Sequence, residues 1–164
     1  MICVNMLIIS IIIAVVLIAV DQLIKYWAVT ELMPAGTMDF IKIGDIDILG
    51  FRYVQNFGAA FSSFSGARIF LIVLTSALII ALSVWAVRDK KKHPFMMISV
   101  SAVIAGGIAN LIDRIRLGYV VDYLEVRLFN FAIFNFADIC VVLGAICLVI
   151  YVIFFDSKVK ESNG

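Results

Sequence analysis

Residues 1–20 read MICVNMLIISIIIAVVLIAV, twenty positions without one charged side chain. At 1.5 Å of helical rise per residue, such a run covers about 30 Å, the hydrocarbon thickness of a bilayer. Three further stretches match it or nearly so. Residues 69–87 are equally free of charge, with Trp85 near one end; 94–112 contain the small-residue run Ala105-Gly106-Gly107; 129–155 are interrupted only by Asp138. Composition agrees, with 64% of the 164 residues hydrophobic and 15% charged, where a soluble domain carries about 25% charged residues. Water is not the solvent in which so apolar a chain folds. The expected fold class is an all-α membrane protein with four transmembrane helices. They run over about 4–28, 68–88, 94–114 and 135–155, in a single integral membrane domain covering 1–164.

The first stretch has no basic n-region, and Val20-Asp21-Gln22-Leu23-Ile24-Lys25 offers no small-x-small cleavage site. It is expected to be a retained span rather than a cleaved secretory signal. Basic residues cluster in Arg88-Asp89-Lys90-Lys91-Lys92-His93 after span two and again at Lys158 and Lys160. The positive-inside rule makes both groups cytoplasmic, so both termini are expected inside and segments 32–67 and 113–135 outside. A net charge of +1 gives no reason to expect nucleic acid as a partner.

The first outer segment is patterned. Phe40-Ile41-Lys42-Ile43-Gly44-Asp45-Ile46-Asp47-Ile48 alternates apolar and polar residues around a glycine, and Phe51-Arg52-Tyr53-Val54 reads as another short strand after Gly50. A small extracytoplasmic β-element between spans 1 and 2 is expected, with one apolar face lying on the membrane surface.

On this topology Asp21, Asn56, Asn110, Asp113, Arg114, Asp122, Asn135 and Asp138 all fall at the outer ends of the spans. Charge beside a span is costly and is usually paired or functional. Asp21 and Lys25 have the i,i+4 spacing of a helical ion pair, and Tyr26-Trp27 follow as interfacial anchors would. Asn56 and Gly58, in Gln55-Asn56-Phe57-Gly58, offer a donor, an acceptor and room for a backbone, but taken alone they read as a simple turn leading into span two. Gly106, Asn110 and Asp113 share one helix face, where the glycine permits close packing and Arg114 stands ready to neutralise a nearby acid. Asn135 and Asp138 have the spacing of a capping box. Asp122 lies upstream in the same outer segment and has no capping role to explain it. Two carboxylates converging at the membrane boundary point to shared-proton chemistry.

Absences narrow the chemistry further. His93, the sole histidine, sits in the cytoplasmic loop, so a histidine-based metal site or a Ser-His-Asp triad is not expected. There is no H-E-x-x-H and no glycine-rich phosphate loop, and neither a metal nor an organic cofactor is expected. Cys140 and Cys147 stand two turns apart on one helix, too far for a disulfide, and Cys3 is isolated. Ser62, Ser63 and Ser65 with Lys25 leave a Ser–Lys hydrolase open.

Five blocks carry a resemblance across nearly the whole chain: Asp21-Gln22-Leu23-Ile24-Lys25, Asn56-Phe57-Gly58-Ala59-Ala60-Phe61, Gly106-Gly107-Ile108-Ala109-Asn110-Leu111-Ile112-Asp113-Arg114, Val120-Val121-Asp122 and Phe134-Asn135-Phe136-Ala137-Asp138. In order and spacing they resemble the lipoprotein signal peptidases, or signal peptidase II. The resemblance implies an aspartic endopeptidase of the bacterial inner membrane, active near the extracytoplasmic face without a cofactor. It would cut diacylglyceryl-modified prolipoproteins just before the lipidated lipobox cysteine. It implies Asp122 and Asp138 as catalytic residues and Asn56, Gly58, Asn110, Arg114 and Asn135 around the substrate. Asp21, Lys25 and Asp113 would be structural. Substrate prolipoproteins and membrane lipids are the expected partners, and a monomer is expected to suffice. One departure is visible: the approach to the last block reads Phe131-Ala132, where the family often has a proline after an aromatic residue. The alternative reading is a small four-helix proton-coupled transporter using Asp113, Asp122 or Asp138; a structural membrane subunit is a third.

Overall fold

The computed structural model describes residues 2–58, 67–88 and 93–156. Ser62, Ser63 and Ser65, the lysines Lys90, Lys91 and Lys92, and Lys158 and Lys160 lie outside the described residues, as do Ala59, Ala60 and Phe61.

Four helices form the body: α1 (Ile2–Trp27), α2 (Arg68–Arg88), α3 (Pro94–Arg116) and α4 (Phe136–Tyr151). All four, with their extensions, are long and apolar enough to cross a membrane. α2 spans a charge-free run between two arginines, and α3 starts with Pro94, whose missing N–H costs nothing in a first turn. α1 continues beyond the expected end near residue 28, through a π-helical turn (Ala28–Leu32) and a last turn at Met33–Ala35. Gly36, at φ +81°, then breaks the helix. The extension exists because Ala28 and Leu32 are buried against Val121 and Tyr123. α4 is shorter than the apolar run 129–155, since Asn135 is extended and caps it and Phe134 bridges to Leu124. A second π-helical turn, Val152–Asp156, prolongs its other end.

α3 is the central helix and packs against α1, α2 and α4. Its contact with α4 is backbone-close. A β-carbon on Gly106 would overlap the Ala137 carbonyl oxygen, and one on Gly144 would lie 2.8 Å from the Ser99 carbonyl oxygen. Away from these contacts the helices present Ile11, Ile12 and Val15, Ile69, Val73 and Ile80, and Val142 and Val149 to the surroundings. A soluble bundle would bury such residues; here they form the surface a bilayer covers.

Three antiparallel strands, β1 (Thr37–Ile43), β2 (Ile46–Asn56) and β3 (Val120–Val126), form one sheet in the order β1-β2-β3. β3 comes from the segment between α3 and α4, so the sheet is not confined to the segment between spans 1 and 2. Pairing of β2 with β3, Val54 opposite Asp122 and Asn56 opposite Val120, brings both connecting segments to the same end of the bundle. β3 escapes the period-2 test because Val120, Val121, Asp122 and Tyr123 are all buried and no alternation shows. Gly50 does not separate two strands either. It lies inside β2, where the Arg127 guanidinium occupies the space its β-carbon would fill.

Candidate active site

The polar residues of the sheet end form two connected layers. In the lower, Lys25 Nζ meets three oxygens: Asp21 Oδ2 at 2.9 Å, Asp113 Oδ2 at 2.8 Å and Asn110 Oδ1 at 2.8 Å. All four side chains are buried. The i,i+4 pair expected of Asp21 and Lys25 is present, but Lys25 also ties α1 to α3. Each acid reaches further. Asp21 Oδ1 accepts the Ala137 N–H at 2.9 Å, and Asp113 accepts the Val121 N–H at 3.2 Å and an amide hydrogen of Gln22 at 3.1 Å. A buried ammonium held by three acceptors has no lone pair to act as a base, which removes Lys25 from Ser–Lys chemistry.

The upper layer holds Asp122 and Asp138. Asp122 sits on β3, buried, and both its oxygens accept amide hydrogens: Oδ1 from Asn135 Nδ2 at 2.7 Å and Oδ2 from Asn56 Nδ2 at 2.8 Å. Asp138 lies in the first turn of α4. Its Oδ2 accepts the Asn135 backbone N–H at 3.1 Å, closing the capping box, while Oδ1 accepts from Asn110 Nδ2 at 2.8 Å. The capping box expected from spacing is therefore real, and it leaves the other carboxylate oxygen for the site.

The direction of each amide is set by its other contacts. Asn56 Oδ1 takes the Gly58 N–H at 2.9 Å and Asn135 Oδ1 takes the Asp138 N–H at 2.9 Å, so both must turn Nδ2 toward Asp122. Asn110 Oδ1 is taken by Lys25 and by Asn135 Nδ2 at 3.1 Å, so its Nδ2 faces Asp138. Arg114 neutralises no acid through a direct ion pair among the described residues. Its guanidinium donates to the Gly58 carbonyl at 2.9 Å and to the Asn110 carbonyl, one turn earlier in its own helix, at 3.3 Å. Burial, and after it the charge of Asp138, push the Asp122 carboxyl up to about 7; the amide hydrogen bonds pull the other way and lose.

Both acids face one cavity of about 700 Å³, with Asn56, Asn110 and Arg114 around them. Below, the walls turn apolar: Leu78, Ile79 and Leu82 from α2, and Val141, Val142 and Leu143 from α4. Such a space takes a polar backbone at one end and an apolar chain along the rest. Asp21, Lys25 and Asp113 stand behind this wall rather than on it. Among the described residues no group of three His, Cys, Asp or Glu side chains has the arrangement of a metal site.

Sequence reading missed Tyr123, whose hydroxyl accepts the Phe136 N–H at 3.1 Å. A tyrosine beside Asp122 in a strand that must be buried needs a partner for its oxygen, and that was the available signal. It also missed Arg68, which donates to the Arg114 and Ile115 carbonyls at 2.8 and 2.9 Å and so closes the end of α3.

The profile of the family described as Signal peptidase (SPase) II matches residues 13–154. This chain belongs to the signal peptidase II family. It is similar to the lipoprotein signal peptidase of Enterococcus faecalis, 36% identical over 159 residues covering 97% of this chain and 96% of that one. The lipoprotein signal peptidase of Clostridioides difficile is 39% identical over 149 residues, 90% of this chain and 97% of its own. Among solved structures, a bacterial membrane enzyme determined by the in meso method superposes with a TM-score of 0.83 at 31% identity, covering 91% of this chain and 90% of the other. Membership of a signal peptidase family makes the chain a hydrolase. The transporter alternative finds no support: the acids gather at one end, where transporters place theirs near the midplane.

Proposed function

We infer that this chain, over residues 1–164, is an intramembrane aspartic endopeptidase that removes the signal peptide from diacylglyceryl-modified bacterial prolipoproteins, cutting just before the lipidated cysteine. The observation that carries the reading is the shared cavity: two acids at its polar end, apolar walls along its membrane part. A signal peptide is itself an apolar helix. It enters between α2 and α4 from the bilayer, and the scissile bond comes to rest beside the acids.

Asp122 is the proton holder, because burial and the neighbouring charge keep it neutral to about pH 7. Asp138 takes a proton from water as the water attacks the carbonyl carbon, and Asp122 gives its proton to the carbonyl oxygen. The diol then collapses: Asp138 passes its proton to the leaving nitrogen, the C–N bond breaks, and Asp122 recovers a proton from the diol hydroxyl as the acid product forms. Asn56, Gly58, Asn110, Arg114 and Asn135 hold the acids and the substrate backbone. Asp21, Lys25 and Asp113 hold the helices that carry them. No cofactor enters. The enzyme works as a monomer in the bacterial cell membrane among its lipids, with both termini cytoplasmic and the acids near the outer face.

Purified enzyme should cut a diacylglyceryl-modified prolipoprotein and leave its unlipidated form intact. Equal cleavage of both, or of neither, refutes the substrate assignment. Cysteine labelling should reach position 42 or 127 only from outside and position 93 only from inside; the reverse pattern refutes the orientation.

A further inference from the structure

Tyr123 directly follows Asp122 in β3 but forms no part of the cavity wall. It is 1% exposed and packs with Ala28, Leu32 and Val121. Its oxygen accepts the backbone N–H of Phe136, the first residue of α4 and one of the donors a helix start leaves without a partner. The next two N–H groups are also taken by side chains, Ala137 by Asp21 Oδ1 and Asp138 by Asn135 Oδ1, each at 2.9 Å. The first turn of α4 is therefore held from three places: α1, β3 and its own cap.

Of the three, Tyr123 alone belongs to the strand that carries Asp122. That strand also grips the approach to α4 through backbone bonds. Tyr123 N–H and Leu124 N–H donate to the Phe134 carbonyl at 3.1 and 2.8 Å, and Phe134 N–H donates to the Leu124 carbonyl at 3.1 Å. These bonds fix the chain as far as residue 134 but not the rotation of the helix that follows. Beside the Asn135 amide, which bonds Asp122 and the Val121 carbonyl from the cap, the Tyr123 hydroxyl carries the position of β3 across to the helix backbone itself, two residues before Asp138. Burial pushes its phenol above the ordinary value, so it remains a neutral acceptor.

We propose that Tyr123 is a positioning residue of the reaction, its hydroxyl setting the first turn of α4, and with it Asp138, against Asp122. This rests on the peptidase reading of the two acids.

Tyr123→Phe removes one oxygen and keeps the ring. Per folded enzyme, kcat on the lipidated substrate should fall about 10- to 100-fold, as a misplacement of about 1 Å does, with KM within about 2-fold. Amide hydrogen exchange at Phe136 and Ala137 should accelerate. Enzyme carrying 3-fluorotyrosine at position 123, close in shape and, as the neutral phenol kept so by assay below neutral pH, a weaker acceptor, should have an intermediate kcat. Unchanged kcat in both proteins overturns the proposal. A change in KM alone does so too, as does a lower Tm with kcat per folded enzyme intact. If the Phe variant does not fold, the fluorinated enzyme decides. Wild-type cleavage that Asp122→Asn abolishes keeps the peptidase reading whatever Tyr123 does, and a wild type that cuts nothing removes both.

Discussion

Replacing Gly106 with alanine probes the distance on which the site depends. The new β-carbon would overlap the Ala137 carbonyl oxygen, with the Ala137 carbonyl carbon at 3.2 Å and Val141 Cγ2 at 2.7 Å. Backbone cannot step aside as a flexible side chain does, so α3 and α4 must part by about 1 Å to restore ordinary contact. One turn along α3, Asn110 Nδ2 donates to Asp138 Oδ1 at 2.8 Å. A separation of about 1 Å takes that bond out of hydrogen-bonding range. The expected cost is about 1–3 kcal/mol in stability from overpacking and about 100-fold in kcat from misplacement. Gly107→Ala is the comparison: the residue lines the same cavity but presses on no backbone. Its β-carbon meets side chains alone, Ile79 at 3.3 Å and Thr75 at 3.8 Å, and these can give. Cleavage of lipidated substrate, normalised to folded enzyme, should separate the two neighbours. Wild-type turnover in Gly106→Ala, or equal losses in both, would refute the argument that helix spacing holds the site.

The raised carboxyl of Asp122 gives the pH dependence its sign. The proton is present below about 7 and lost above it, so kcat/KM should fall on the alkaline side with a midpoint near 7; a flat profile from pH 6 to 9 contradicts Asp122 as proton donor. Because the folded value lies above the ordinary 3.8, the stability from burying the protonated form is full at low pH and lost as pH rises toward 7, a slope that Asp122→Asn should remove from melting curves. Asp122→Asn and Asp138→Asn should each lower turnover about 10²–10⁴-fold or more, and the double variant should be little worse than either, since the acids act as a unit. Multiplicative losses would show that they work independently. Lys25→Met leaves Asp21 and Asp113 buried without their cation and should destabilise the protein by about 3–5 kcal/mol; a variant with wild-type Tm and yield would contradict the buried network.

Much of the architecture is legible locally. α2 runs from Arg68 to Arg88 as expected, since an uncharged run between two arginines needs no other information. The Asn135–Asp138 capping box follows from a spacing of three. The acids and amides of the site could all be named as candidates, because polar groups at a membrane boundary are too costly to be incidental. Their arrangement was not legible. Asn56 reaches Asp122 across 66 positions, through pairing of β2 with a β3 that has no alternation to announce it. Arg114 stands in the cavity with the acids, as expected, but among the described residues it pairs directly with none of them and serves the carbonyls of Asn110 and Gly58, which no local spacing announces. Tyr123 and Asp21 complete the start of α4 from elements far away in the chain. Local spacing and the cost of burying charge determine which elements form and which residues must find partners. Which donor meets which acceptor depends on the distance between packed helices, set here by glycines on α3 and α4, and only the tertiary structure decides that.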